Sequence, residues 1–395
     1  MVDTYNKMSY SICIVRNKET TMSVAISDSR TVKISEAQRL IVKAFKKKRP
    51  VFLWGPPGIG KSELVEGIGE SEVLGKTYVI DMRLALFEPT DLRGYPVPNV
   101  ETGVMQWLPP ADLPTAEMAE QYDTIILFMD ELNSAAPSVQ AAAYQLILNR
   151  RIGQYFLPKN VVIIAAGNRE TDKGVTYRMP KPLENRFVHF ELRVDFTDWL
   201  NWAVNNNIDP DVVGFLSFAK GDLYNFDPQS SSRGFATPRS WTFVSELLED
   251  DEDLSESETT DLVAGCVGEG TAVKFMAHKK VAGDLPVPED VLDAKVKRVE
   301  NTEVSACYAL ATSLCYELRD RHIAGEKAGA DSKEMAKYHK SYSNFISFMM
   351  DNFETEMVIM ASRVAMQQYK LMPKQDKVER FEEYFNRYGK LVLDS

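Results

Sequence analysis

The stretch that most constrains this chain is Gly55-Pro56-Pro57-Gly58-Ile59-Gly60-Lys61-Ser62. It follows the apolar run Val51–Trp54 and leads into a segment with helical periodicity, which predicts a strand, a glycine-rich loop and a helix. Such a loop turns its backbone N–H groups toward phosphate oxygens, and glycine is needed where a side chain would block the approach. We therefore expect these eight residues to bind ATP, with Lys61 on the β- and γ-phosphates and the Ser62 hydroxyl on Mg²⁺.

Two carboxylates, Asp130 and Glu131, stand at the end of an apolar run. Residues 125–129 have the continuous apolarity of a central parallel strand that is buried on both faces. This is the Walker B arrangement, in which Asp130 helps to hold Mg²⁺ and Glu131 polarises the attacking water as a general base. An acidic loop start would explain the charge but not its position after a wholly apolar strand.

A third apolar run, Val161–Ala166, ends at Gly167-Asn168. An uncharged amide at the carboxyl end of such a strand can position water against the γ-phosphate without competing for the metal. Alone, an asparagine here would more often be a turn residue. Because it is the third motif in a series, Asn168 is predicted to act as a sensor of the γ-phosphate.

Composition and charge limit the remaining possibilities. The 395 residues carry a net charge of −11, which opposes broad electrostatic capture of nucleic acid, so a protein substrate ranks above DNA. The basic run Lys46–Arg49 suits a helix carboxyl terminus, and nucleic-acid contact is the less favoured interpretation. The four cysteines lack metal-ligand spacing, and neither a signal sequence nor a membrane-length apolar run is recognisable, so we expect a cytoplasmic protein with reduced thiols.

The predicted fold class is α/β: a P-loop core with a parallel sheet flanked by helices, followed by an α-helical lid and a helical C-terminal extension. Residues 1–32 are expected to be a flexible N-terminal arm, 33–195 the nucleotide-binding domain, 196–300 the lid and 301–395 the extension. The first core helix is predicted to begin near Ile34, with Ser35 as a cap and Leu40 on its buried face.

In the order and spacing of these motifs the chain resembles the AAA+ ATPases, and within them the MoxR-type branch, over residues 33–300. Residues 130–135 resemble the signature D-E-I-N-R-A of that branch, with Ser134 in place of arginine. Residues 87–94 resemble the segment after its second strand, and residues 102–109 the β-hairpin inserted ahead of Walker B. Residues 301–395 match no family pattern.

The resemblance also implies roles for two arginines. Residues 182–187 are similar to a stretch L-L-D-R-F, which makes Arg186 a finger on the neighbouring subunit's nucleotide. From the sequence alone, a surface arginine paired with Glu184 or Glu191 would look the same. Residues 237–239 resemble the sensor 2 motif of the lid, so Arg239 would contact the γ-phosphate, in cis or in trans.

The resemblance further implies a ring homo-oligomer, commonly a hexamer, that hydrolyses ATP at its subunit interfaces. Members of the branch remodel or mature protein clients, commonly with a partner that bears a von Willebrand factor A domain. Two alternatives stay open: a nucleic-acid motor of related architecture, and a nucleotide-gated scaffold that hardly turns over ATP. The sequence names neither the client nor the role of residues 301–395.

Overall fold

The computed structural model describes residues 30–172, 176–230, 232–249, 254–283, 285–299 and 303–393. Most of the predicted N-terminal arm, residues 1–29, therefore lies outside the described residues, as do residues 250–253 of an acidic run. Thr31–Val32, at the end of the predicted arm, forms a short strand. Within these ranges no helix combines the length and the apolarity that a membrane crossing requires.

The described residues form ten strands. They are β1 (Thr31–Val32), β2 (Val51–Trp54), β3 (Thr77–Arg83), β4 (Tyr95–Asn99), β5 (Val104–Leu108), β6 (Thr124–Asp130), β7 (Arg151–Ile152), β8 (Tyr155–Phe156), β9 (Val161–Gly167) and β10 (Val188–Leu192). Six of them make one parallel sheet in the spatial order β1-β10-β2-β9-β6-β3. Because all six run the same way, the loops after β2, β6 and β9 meet at the carboxyl edge of the sheet, which is where the predicted nucleotide residues lie.

Helices cover both faces of this sheet. They are α1 (Ile34–Phe45), α2 (Lys61–Glu70), α3 (Pro89–Arg93), α4 (Ala116–Gln121), α5 (Pro137–Asn149) and α6 (Lys181–Glu184). Side chains alternate along each strand, so Leu53 packs toward α1 and α2, and Phe52 toward α3 and α5. The middle of β6 and all of β9 are buried, which confirms that these apolar runs are central strands.

The start of α1 corrects two details of the prediction. The helix begins at Ile34, and the N–H of the preceding Lys33 is taken by the Glu36 carboxylate, so Ser35 is not its cap. Ser35 lies inside the helix and binds Asp198 instead. Leu40 is 43% exposed, because the buried stripe of α1 is narrower than its apolar pattern and runs through Ala37, Ile41 and Phe45.

Two short hairpins project from the sheet. The predicted hairpin ahead of Walker B is confirmed as β4 and β5, which pair antiparallel from Tyr95–Leu108 to Asn99–Val104. Gly94 enters it with φ +80°, and a Cβ there would lie 1.8 Å from the carbonyl oxygen of Leu108, so only glycine fits. The second hairpin joins β7 and β8.

The chain continues as a helical region. Its helices are α7 (Phe196–Asn205), α8 (Pro210–Phe218), α9 (Pro238–Leu248), α10 (Glu256–Val267), α11 (Glu269–Gly283), α12 (Pro288–Leu292), α13 (Val304–Ala328), α14 (Lys333–Asn352), α15 (Thr355–Arg363), α16 (Phe381–Tyr384) and α17 (Lys390–Leu393). One hydrophobic core runs through these helices, from Trp199 in α7 to Val392 in α17. The Tyr316 hydroxyl of α13 also donates to the Ile208 carbonyl, 2.7 Å away. The regions predicted as lid and as extension are therefore packed together.

Candidate active site

The glycine-rich loop lies between β2 and α2 and is open toward the carboxyl edge of the sheet. Gly58 and Gly60 adopt φ +75° and +94°, which bends the chain tightly enough to aim successive N–H groups at one point. In the described part of the chain, no protein acceptor takes the backbone N–H groups of Gly58, Ile59 or Gly60. Because α2 begins at Lys61, the positive end of its dipole adds to these donors, and together they suit a phosphate group.

The Lys61 ammonium closes over this loop. Its Nζ donates to the carbonyl oxygens of Gly55 and Pro56, at 2.7 and 3.0 Å, and to Oδ1 of Asn168 at 3.1 Å. Burial lowers the pKa of Lys61 to about 8, although the charge of Asp130 opposes the shift. The lysine and the predicted sensor amide are therefore in direct contact.

Ser62 and Asp130 meet at the same edge. The Ser62 hydroxyl donates to Oδ2 of Asp130 at 3.2 Å, which places a hydroxyl and a carboxylate oxygen side by side. These are the hard oxygen ligands that Mg²⁺ takes in proteins, and the ion obtains its remaining ligands from phosphates and water. In the described ranges, no group of three or more His, Cys, Asp or Glu side chains suited to a metal occurs.

The backbone of Glu131, the residue that follows β6, leaves the strand conformation. It has φ +56°, a left-handed conformation that is uncommon outside glycine, and its N–H donates to Oδ1 of Asp130 at 2.8 Å. Its carbonyl accepts from the N–H groups of Ser134 and Ala135, so the strand ends here in a tight turn. The residue is exposed, which leaves its carboxylate able to reach a water at the mouth of the loop.

Asn133, two residues beyond Glu131, is a further residue of the site that the motifs did not indicate. It is 2% exposed, and its Nδ2 donates to the backbone carbonyl of Asn168 at 2.7 Å. Its one signal in the sequence is its place in the segment 130–135, where the motif itself predicts chemistry only for the two carboxylates. The importance of this amide depends on its hydrogen bond to the Asn168 carbonyl, and the sequence does not show that contact.

Arg239 approaches the loop of its own chain. Thr237 caps α9 and lies so close to Gly58 that a Cβ there would be 2.7 Å from the Thr237 hydroxyl oxygen. The Arg239 N–H donates to the Gly58 carbonyl at 3.2 Å, and the arginine charge contributes to lowering the pKa of Lys61. In this arrangement Arg239 lies in cis to the P-loop.

Arg186 lies apart from all of these residues. It precedes β10, whose first residue, Val188, pairs with Val51 at the start of β2, so it lies at the amino edge of the sheet. The sequence left open that Arg186 pairs with Glu184 or Glu191. In the structure Glu184 pairs with Lys181, and Glu191 pairs with Arg169. The Arg186 side chain is exposed, and no hydrogen bond or ion pair engages it among the described residues.

A cavity of about 400 Å³ adjoins the loop at Pro56. Apolar groups of Leu192, Val194 and Phe196 line it, together with the cations Arg169, Arg193 and Lys220 and the ring of Tyr224. Burial raises the pKa of Tyr224, so its phenol stays protonated and able to donate. The cavity combines apolar walls with polar donors beside a phosphate-binding loop, as a nucleotide base and ribose require.

Comparisons with known proteins agree with this geometry. Residues 50–187 match the family model described as an AAA domain of the dynein-related subfamily. Over 176 residues the chain is 29% identical to midasin of Giardia intestinalis, a match that covers 42% of this chain and 3% of midasin. The chain thus spans a small part of that relative's length, and residues 50–187 form an AAA domain.

Solved structures are similar at lower identity. The RuvB Holliday junction branch migration motor of Thermotoga maritima is 17% identical over 71% of this chain and 80% of its own, with a TM-score of 0.33. NtrX of Brucella abortus is 14% identical over 63% of this chain and 68% of its own, with a TM-score of 0.31.

Proposed function

We propose that this chain is a MoxR-like AAA+ ATPase that hydrolyses ATP in a ring oligomer and remodels or matures protein clients. One observation carries the ATPase assignment. Lys61, Ser62, Asp130, Glu131 and Asn168 come from three separate loops and converge at one edge of the sheet. A chance G-x-x-x-x-G-K-S sequence would have no reason to bring two further motifs to its mouth.

In the proposed reaction each of these residues has one task. Lys61 exchanges its loop carbonyls for the β- and γ-phosphates, Glu131 accepts the proton of the attacking water, and Asn168 orients that water. Ser62 and Asp130 would hold Mg²⁺, which when bound neutralises charge developing on the phosphates. Arg239 supports the γ-phosphate in cis, and the cavity beside Pro56 takes the base.

The protruding hairpin favours a protein client over nucleic acid. Residues 95–108 contain no lysine or arginine, the side chains that supply most of the electrostatic attraction to nucleic-acid phosphates. Large apolar side chains stand exposed along it instead: Tyr95, Val97, Val100, Val104, Met105 and Leu108. Between this hairpin and β7–β8 lies a groove of about 630 Å³ whose walls include Trp107, Pro114 and Phe156. Such a surface suits unfolded or partly folded polypeptide.

The finer assignments rest on the resemblance and on the position of Arg186. Arg186 is exposed, has no partner among the residues that the structure describes, and lies at the sheet edge opposite the predicted nucleotide loop. This position suits a finger donated to the next subunit, so we propose ring assembly, with six subunits as the common number. A partner with a von Willebrand factor A domain belongs to the same proposal.

Glu131→Gln tests the hydrolysis assignment. We expect the variant to bind ATP within about threefold of the wild-type affinity and to release phosphate about 10²–10⁴-fold more slowly, because an amide cannot accept the proton. Glu66→Gln is the matched control, since Glu66 is exposed one turn along the helix that begins with Lys61. Equal turnover in wild type and Glu131→Gln would remove Glu131 as base. ATP-dependent assembly of the wild type without turnover would instead favour the scaffold.

A further inference from the structure

A buried amide, that of Asn133, joins the Glu131 turn to the sensor strand. The N–H of Leu132 donates to the Ala166 carbonyl at 3.0 Å, so this turn is attached to β9 from its first residue. Asn133 follows, and its Nδ2 donates to the Asn168 carbonyl at 2.7 Å. On the other side, its own carbonyl accepts from the Tyr177 N–H at 2.7 Å. Asn133 is thus held between the general-base turn, the sensor residue and the segment that leads to Arg186.

Gly167 leaves room for this amide. A Cβ on Gly167 would lie 2.2 Å from Oδ1 of Asn133 and 2.9 Å from the Phe52 ring, so any side chain would displace both. Oδ1 of Asn133 has no hydrogen-bond partner among the described residues, although burying such an atom costs free energy. A polar group kept at that cost, with a glycine opposite it, fits a role that an apolar residue of similar size could not fill.

That role follows from the contacts that the Asn168 side chain and the preceding carbonyl make. The Asn168 side chain contacts Lys61 at 3.1 Å, and the preceding Gly167 carbonyl accepts from the Gly55 N–H at 3.3 Å. If the Asn168 carbonyl were released, the peptide could rotate and carry the sensor amide away from Lys61. A displacement of about 1 Å of a positioning group can cost on the order of 10²-fold in rate.

We propose that Asn133 is a positioning residue, which fixes the distance between the general base Glu131 and the sensor Asn168 through its bond to the Asn168 carbonyl. The inference rests on the proposed ATPase function and deepens it. Asn133 acts through Asn168, whose carbonyl its side chain binds. Its loss should therefore lower kcat and leave nucleotide affinity nearly unchanged.

A double-mutant cycle tests this mechanism. Asn133→Ala is expected to lower the kcat for ATP by about 10–100-fold, with the nucleotide Kd within about threefold of wild type. Added to Asn168→Ala, the same substitution should lower kcat by less than about threefold, because the side chain it positions is already gone. Full effects in both backgrounds would overturn the proposal, as would a wild-type kcat in Asn133→Ala.

A second variant tests the hydrogen bond through the pH dependence of kcat, which a loss of packing alone would not change. Asn133→Asp is isosteric, yet its ionised carboxylate cannot donate to the Asn168 carbonyl, whereas the protonated acid can. The ratio of variant to wild-type kcat should therefore rise as the pH is lowered. A ratio that stays flat with pH would overturn the proposal, and this variant also serves if Asn133→Ala does not fold.

Two controls separate the possible failures. Asn160→Ala removes a comparable amide, which donates to the carbonyls of Ala119 and Tyr122 at the amino edge of the sheet, and should keep wild-type kcat. Glu131→Gln reports on the ATPase function itself. If Glu131→Gln loses turnover and Asn133→Ala does not, the inference about Asn133 fails alone, whereas turnover that survives in Glu131→Gln means that the proposed base is wrong.

Discussion

At the scale of single residues, Glu131 shows how the site holds a strained conformation. A left-handed backbone in a non-glycine residue costs on the order of 1–3 kcal/mol. Three hydrogen bonds hold it: its N–H to Asp130, and its carbonyl to the N–H groups of Ser134 and Ala135. This turn ends β6 at Asp130, so Glu131 does not follow the alternation of the strand, in which neighbouring side chains point to opposite faces. We expect the two acids to serve as a metal ligand and a general base.

Lys61 gives a pH dependence whose sign can be worked out. Its pKa is about 8 in the nucleotide-free chain, because the ammonium is buried, whereas phosphate charge beside it must raise that pKa. Above pH 8 the free protein therefore loses a proton that the bound form keeps. We expect proton uptake on binding, about half a proton per site near pH 8, and an affinity that falls by up to about tenfold per pH unit above it.

Titration calorimetry measures that uptake directly. A non-hydrolysable ATP analogue with Mg²⁺, titrated at pH 8.5 in two buffers of different ionisation enthalpy, should give two different apparent enthalpies. Lys61→Arg is the control, because a guanidinium stays charged throughout this range and takes up no proton. Identical enthalpies for the wild type in both buffers would show that Lys61 is fully charged before nucleotide binds.

At the scale of elements, the sequence predicted what depends on local pattern and strand order. β2, β6 and β9 were recognisable because buried parallel strands are continuously apolar, and their loops met because parallel strands end at one edge. Asn133 was not foreseeable, since its partner carbonyl is 35 residues away and any residue supplies a carbonyl. Leu40 was misplaced because an apolar residue on a surface helix need not be buried.

The packing of the helical region was equally hidden from the sequence. Arg321 is 7% exposed at its side chain and binds Asp293 after α12, Glu317 in α13 and Ser341 in α14, at 2.6–2.7 Å. An arginine in a charged stretch of helix predicts a solvated face, whereas here it joins three elements. Long-range partners of this kind come only from the tertiary fold.

Arg321→Met is expected to destabilise the helical region by about 2–4 kcal/mol, because Asp293 and Glu317 lose their shared counter-ion, and partial solvent access moderates the cost. Hydrogen bonding from Arg321 holds the pKa of Asp293 below its usual range, so this stability is present at neutral pH and is lost as the pH falls through that lowered pKa. Urea denaturation followed by circular dichroism at pH 7 and pH 3 measures both effects.

Lys280→Met provides the matched comparison. Lys280 pairs with Glu256 at 3.6 Å with both side chains largely exposed, so its loss should change stability by less than about 1 kcal/mol. An equal effect of the two substitutions at pH 7 would show that Arg321 contributes no more than a surface ion pair.

At the scale of the whole molecule, the sheet has two chemically different edges. The carboxyl edge carries the nucleotide residues, and the amino edge carries Arg186. From Val188 to Glu191 the chain advances about 10 Å along β10, at roughly 3.3 Å per residue, before it reaches the level of Trp54, where the loop begins. We therefore expect any catalytic role of Arg186 to be carried out on the nucleotide of a second copy.

The two edges are nevertheless linked inside one chain. The Trp54 indole N–H, one residue before the loop, donates to Nδ1 of His189 at 2.9 Å. Nδ1 must be the acceptor because an indole nitrogen can only donate, so Nε2 of the neutral ring carries the proton that the Glu184 carbonyl accepts at 2.7 Å. The segment that presents Arg186 is thus attached to the strand that presents the nucleotide loop. In the proposed ring, this contact would connect the site of a subunit with the arginine that it offers to its neighbour.

Complementation between two inactive variants tests the action of Arg186 in trans. Arg186→Ala and Glu131→Gln should each lose most turnover, on the order of 10³-fold for an arginine finger. Mixed in one ring, they rebuild a complete site wherever an Arg186→Ala subunit, with its intact Glu131, receives the arginine of a Glu131→Gln neighbour. Random mixing at equal amounts makes about a quarter of the sites complete, so turnover should rise to about that share of wild type. Wild type mixed with Glu131→Gln measures how far an inactive neighbour lowers the turnover of an intact subunit, and two purification tags verify that the rings are mixed.

The outcome that would contradict action in trans is equally clear. If tagged mixed rings hydrolyse ATP no faster than the average of the two variants alone, Arg186 does not act in trans, because a cis role leaves every subunit of the mixture deficient.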